Sequence, residues 1–126
     1  MKKVAFLACL IFVISCKKES EETFGQPNPT EVTQTPEELG KSIFEGKGNC
    51  VACHKINEKL VGPSLQDIAK IYKAQNGDIV SFLKDEAKPI VDASQYEVMK
   101  TNLALTKAMS DEELRGIEAY MYSNFK

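Results

Sequence analysis

The chain has 126 residues, 43% apolar and 27% charged, with a formal charge of -2 at neutral pH. This length suits one small globular domain with appendages and argues against a second core. Acidic residues outnumber basic ones and no basic stripe is present to neutralise phosphates, which excludes a nucleic-acid partner.

Lys2 and Lys3 precede an unbroken apolar run of eleven residues, Val4 to Ile14. Spanning a bilayer takes about 20 apolar residues, so the run fits the core of a signal peptide instead. It ends in Val13-Ile14-Ser15-Cys16 without an A-x-A cleavage site. That ending resembles the lipobox of bacterial lipoproteins, in which the Cys becomes the lipidated first residue of the mature chain. The expectation is a lipoprotein signal peptide over residues 1–15, lipidation at Cys16, and export to a bacterial membrane, facing the periplasm or the cell exterior. Removing Lys2 and Lys3 takes the formal charge from -2 to -4.

Residues 16–35 are rich in Glu, Ser, Thr, Gln, Pro and Asn, with Phe24 and Val32 as the larger apolar side chains. Such a stretch buries too little surface to offset the entropy of ordering it, and is expected to be a disordered tether. About 20 residues of this kind reach roughly 25 Å as a coil.

The folded domain is expected over residues 36–126. Thr35, Pro36 and Glu38 form the start of a helix with a capping box. That helix runs to about Glu45, with Leu39, Ile43 and Phe44 at helical spacing and Gly40 leaving room for another helix; Gly46 and Gly48 end it. A second helix is predicted from Ser64 on the spacing of Leu65, Ile68, Ala69 and Tyr72, closing at Asn76-Gly77. Asp78 caps a third, which carries Ile79, Phe82 and Leu83 and stops near Ala87 because of Pro89. The last helix starts at the capping box of Ser110 and Glu113, with Met109 and Leu114 as a hydrophobic staple and Leu114, Ile117 and Met121 on its buried face. No segment alternates with period two, so the domain is expected to be all-α.

Cys9 falls in the segment to be removed and Cys16 at the lipidation site, leaving Cys50 and Cys53 for the domain. They stand in Cys50-Val51-Ala52-Cys53-His54, the C-x-x-C-H attachment signature of c-type haem. Two thiols three positions apart can both form thioethers with the haem vinyls, while the adjacent imidazole comes under the iron as an axial ligand. Competing readings are a thioredoxin-like pair, half a zinc site and a structural disulfide. Zinc requires more ligands than this cluster offers, and a thioredoxin-like pair should follow a strand.

From Gly40 to Tyr122 the chain resembles the class I c-type cytochromes of small bacterial monohaem kind. The resemblance implies a cytochrome c fold, about four to five helices wrapped around one covalently bound haem c. It implies a first helix with Gly40 and Phe44 crossing the last, where Leu114, Ile117, Tyr120 and Met121 face it. Val61-Gly62-Pro63-Ser64-Leu65 is similar to the family's Gly-Pro-x-Leu segment, in which the proline carbonyl, here that of Pro63, accepts a hydrogen bond from the axial imidazole of His54.

His54 is the only histidine, which rules out bis-histidine coordination within one chain and leaves a thioether for the sixth position. Met121 belongs to the apolar stripe of the last helix. Met99 lies in the loop region before that helix, where the resembled family places its ligand, although the family's following proline is absent. Met109, already a staple residue, is the alternative. Two axial ligands imply a one-electron carrier and not an enzyme, exchanging electrons with redox proteins of a respiratory chain, an oxidase or reductase, while attached to the lipid membrane. The alternative is a haem protein with an open sixth position, acting as an enzyme or gas sensor. Lys47, Lys55, Lys59, Lys100 and Lys107 are near the haem segment or the ligand region; one reading is a rim around the haem edge that steers an acidic partner, and the simpler one is solvated side chains.

Overall fold

The structure is a computed structural model and describes residues 34–126. The proposed signal peptide, Cys16 and nearly all of the proposed tether lie outside these residues. Five α-helices follow in order: α1 (Pro36–Glu45), α2 (Leu65–Gln75), α3 (Ile79–Leu83), α4 (Tyr96–Thr106) and α5 (Asp111–Ser123). Short 3-10 turns at Cys50–Ala52 and Ala93–Gln95 sit between them. Among the described residues there is no strand, only an isolated bridge between His54 and Lys59.

The helix starts follow local chemistry. The Thr35 hydroxyl accepts from the Glu38 amide at 3.2 Å and the Glu38 carboxylate accepts from the Thr35 amide at 2.9 Å. Ser110 and Glu113 repeat this exchange at α5, at 3.3 and 2.8 Å. Ser64 and Asp78 cap α2 and α3 through the amides of Asp67 and Ser81. Each cap satisfies amides that have no partner inside their own helix.

Packing is centred on the crossing of α1 and α5, the most extensive contact between helices. Gly40 lies directly against the backbone of Gly116, and this close approach brings Phe44 onto Tyr120, edge to face with centroids 5.4 Å apart. Ile43, Phe44, Leu114, Ile117 and Met121 join Leu65, Ile68 and Tyr72 of α2 and Ile79 and Leu83 of α3 in one buried cluster. The helix pair expected from the sequence is the one observed.

Two expectations are corrected. The third helix ends at Leu83 rather than near Ala87, and the chain then passes through a left-handed residue, Asp85, with φ of 62°. The carboxylate of Asp85 is engaged by Tyr96 and Lys107 of the next segment, a tertiary arrangement that a helix continuing past Leu83 would not make. Met99 is not in a loop but inside α4. Nothing between Tyr96 and Thr106 is Gly or Pro, so the absence of the family's proline lets the segment wind as a helix. Asp92 begins it by capping the preceding 3-10 turn through Ser94.

Candidate cofactor site

The C-x-x-C-H motif starts where α1 has ended. Asn49 takes a left-handed conformation, with φ of 50°, and turns the chain into the 3-10 segment that carries Cys50. The amides of Cys53 and His54 both bond to the Cys50 carbonyl, at 3.1 and 2.9 Å. The motif therefore closes on itself, placing both thiols and the imidazole on one compact turn. Cys50 and Cys53 are free thiols in this turn, the first buried and the second half-buried.

The residues after His54 fold back against it. The Gly62 amide donates to the Cys53 carbonyl at 2.9 Å, and the amides of Leu65 and Gln66 donate to the carbonyls of Lys55 and Ile56. This loop puts the Pro63 carbonyl 2.7 Å from Nδ1 of His54. Nδ1 acts as the donor, because a carbonyl can only accept, which leaves Nε2 with a free lone pair. A methyl group on Gly62 would come within 2.4 Å of Cε1 of the imidazole, so the ring is seated on bare backbone.

Burial lowers the His54 pKa from its ordinary value, and the bond to Pro63 opposes that shift. Burial pushes the Cys50 thiol up to about 11, with a smaller contribution from neighbouring Cys53. Cys50 and the imidazole are thus both neutral near pH 7.

A cavity of about 230 Å3 opens beside this turn. Cys50, Cys53, His54 and Pro63 line it, with Ile68 and Tyr72 of α2, Ile79, Phe82 and Leu83 of α3, Met99 of α4 and Met121 of α5. Met109 is partly buried against the core and is not part of the lining. Of the three methionines weighed for the sixth position, Met109 is kept from the cavity, while Met99 and Met121, the latter assigned from the sequence to the apolar face of the last helix, both line it. Asn102 also lines it, while its amide reaches the Gly48 carbonyl at 3.3 Å. It stands three residues after Met99, on the same side of a helix, and could have been found by reading that segment as helical.

Four of the five lysines singled out are in ion pairs: Lys47 with Glu113, Lys55 with Glu58 at 2.7 Å, Lys59 with Asp92 at 3.0 Å and Lys107 with Asp85 at 2.9 Å. Lys100 lies over the ring of Tyr96, 5.8 Å from its centroid. Four of these five charges are therefore locally compensated by a carboxylate.

Residues 37–124 match the cytochrome c family. The chain belongs to that family. It is similar to cytochrome c-551 of Pseudomonas denitrificans, 45% identical over 49 residues, which are 39% of this chain and 57% of that protein. It is likewise similar to cytochrome c-552 of Nitrosomonas europaea, 45% identical over 42 residues covering 33% of this chain and 40% of the relative. A third similarity, to cytochrome c-551 of Azotobacter vinelandii, is 42% over 40 residues, 32% of this chain and 48% of that protein. The chain thus spans about half the length of the curated relatives it matches.

This cytochrome has the all-α cytochrome c fold and its cofactor is one covalently bound haem c. The residues present fit that group. Two unpaired thiols and an imidazole of fixed tautomer border a cavity walled mostly by aliphatic and aromatic side chains, the surroundings in which a large apolar ring is buried.

Proposed function

We propose that this cytochrome is a one-electron carrier outside the cytoplasm, held to a bacterial membrane by lipid at Cys16 and exchanging electrons with an oxidase or reductase of a respiratory chain. Cys50 and Cys53 would form the thioethers, His54 and Met99 would ligate the iron, and Pro63 would hold the imidazole through its carbonyl. The observation that carries this reading is the lining of a single cavity by an Nδ1-tethered imidazole and a methionine thioether.

Haem supplies a metal centre that changes oxidation state by one electron. The protein sets its potential and its access. A thioether favours ferrous iron relative to a second nitrogen ligand and raises the potential. Two protein ligands leave no position for a substrate, which favours electron transfer over bond chemistry. The Pro63 bond fixes the orientation of His54, so little has to move when the charge changes.

Met99→Ala is expected to abolish the weak far-red band of the oxidised holoprotein, which reports sulfur ligation, and to allow rapid CO binding in the reduced form. Met109→Ala should retain the band. Survival of the band in Met99→Ala with its loss in Met109→Ala would transfer the ligand role to Met109. Rapid CO binding by the unaltered protein at neutral pH would favour an open-site enzyme or sensor.

The anchor has its own test. Cys16→Ser is expected to shift most of the protein from the membrane fraction to the soluble exported fraction, since a covalent lipid adds about 0.8 kcal/mol per buried methylene. Unchanged membrane partition and no incorporation of labelled lipid at Cys16 would sink the lipoprotein assignment.

A further inference from the structure

α4 is weakly held by apolar packing. Of its eleven residues only Leu103 and Thr106 are buried, and its first residue follows Gln95, which provides no side-chain cap. Polar ties to the segment at the end of α3 compensate. The Tyr96 hydroxyl donates to one carboxylate oxygen of Asp85 at 2.6 Å, and Lys107 Nζ donates to the other at 2.9 Å. Thr106 adds a bond to the Leu83 carbonyl at 2.5 Å.

Tyr96 and Lys107 stand at opposite ends of the helix, eleven residues apart, about three turns or roughly 16 Å along the axis. Three turns return both side chains to the same face. A single carboxylate thus straps the whole helix, and Met99 lies within the strapped span. Tyr96 also lines the cavity, so the strap reaches the cavity wall.

The backbone at Asp85 points the same way. Its φ of 62° falls in the left-handed region, where Gly is the least costly residue and Asn is tolerated. Neither offers two anionic acceptors. A carboxylate does, and can take one bond from a phenol and one from an ammonium at the same time.

We propose that Asp85 is the positioning residue of the sixth-ligand helix: by gripping Tyr96 and Lys107 it keeps Met99 over the cavity and limits how often the sixth position opens. This rests on the assignment of Met99 as ligand. An external ligand binds in proportion to the fraction of open molecules, so its apparent affinity reads the strap directly.

The test is imidazole titration of the ferric holoprotein. Asp85→Ala is expected to bind imidazole about three- to tenfold more tightly than the unaltered protein, the scale of losing two charge-assisted bonds at a partly exposed site. Tyr96→Phe and Lys107→Met, which leave the Asp85 backbone untouched, should each give part of that change and serve if Asp85→Ala does not fold. Lys84→Ala removes the nearby Lys84–Asp111 pair, which involves no group of α4; it should lower thermal stability while leaving imidazole affinity unchanged. Equal imidazole affinity in Asp85→Ala, Tyr96→Phe and the unaltered protein overturns the proposal, as does an equal gain in Lys84→Ala. Failure of the ligand assignment looks different: the far-red sulfur band is then retained in Met99→Ala, whatever the titrations give.

Discussion

Gly40→Ala is expected to lower the thermal midpoint of the holoprotein by about 15 °C, the equivalent of about 3 kcal/mol in a domain of this size. The added methyl would stand 1.8 Å from the Gly116 carbonyl oxygen, 2.3 Å from its carbon and 2.8 Å from Cβ of Tyr120. Two of these three atoms are backbone, so no rotamer change can make room and the helices must separate. Separation loosens the Phe44–Tyr120 contact and the packing of Ile43, Leu114 and Ile117 beneath it. Alanine's better helix propensity returns about 1 kcal/mol and does not reverse the sign. Gly116→Ala is the internal comparison: its methyl would meet nothing nearer than 3.2 Å, so a few tenths of an ångström of adjustment suffices and its loss should be much smaller. Equal midpoints for the two variants in a thermal melt would mean that the crossing is not held by close approach at Gly40.

Gly62→Ala acts on the site itself. Its methyl would fall 2.4 Å from Cε1, 2.9 Å from Nδ1 and 3.0 Å from Nε2 of His54, so the imidazole must leave the seat in which Nδ1 bonds to Pro63. Losing such an outer hydrogen bond typically weakens a metal–imidazole bond ten- to hundredfold. Acid titration measures this, because with His54 as the proposed ligand a proton would compete with iron for the same nitrogen lone pair. A weaker bond yields to less acid. The pH at which the low-spin ferric spectrum is lost should therefore rise by about 1–2 units, while covalent haem, seen by staining a denaturing gel, remains. An unchanged acid midpoint would show that the ring swings aside at no cost and that Gly62 is only a turn residue.

Much of this molecule was legible in short-range patterns. Thr35 and Ser110 announced the starts of α1 and α5, since a hydroxyl followed three residues later by a glutamate forms the same reciprocal bonds in any context. The haem motif was equally local, a spacing of thiols and imidazole that needs nothing from the rest of the chain. The end of the third helix and the helical state of the Met99 segment are not legible in this way, because their limits are not local. Pro89 permits a helix up to Ala87, yet the chain turns at Asp85, whose carboxylate is bonded to residues eleven and twenty-two positions away. Propensity rules cannot register bonds of that range.

Amino-acid order alone determined the C-x-x-C-H motif in which we propose the cofactor is held, and where four of the five helices among the described residues begin, because those depend on groups within a turn of one another. Tertiary structure decided that Met99 and not Met109 reaches the cavity, why residue 62 has no side chain, and how far α3 extends. Each of those depends on a distance between atoms remote in sequence, such as Gly62 against the His54 ring or Asp85 against both ends of α4. Such distances exist only once the apolar faces of the helices have packed.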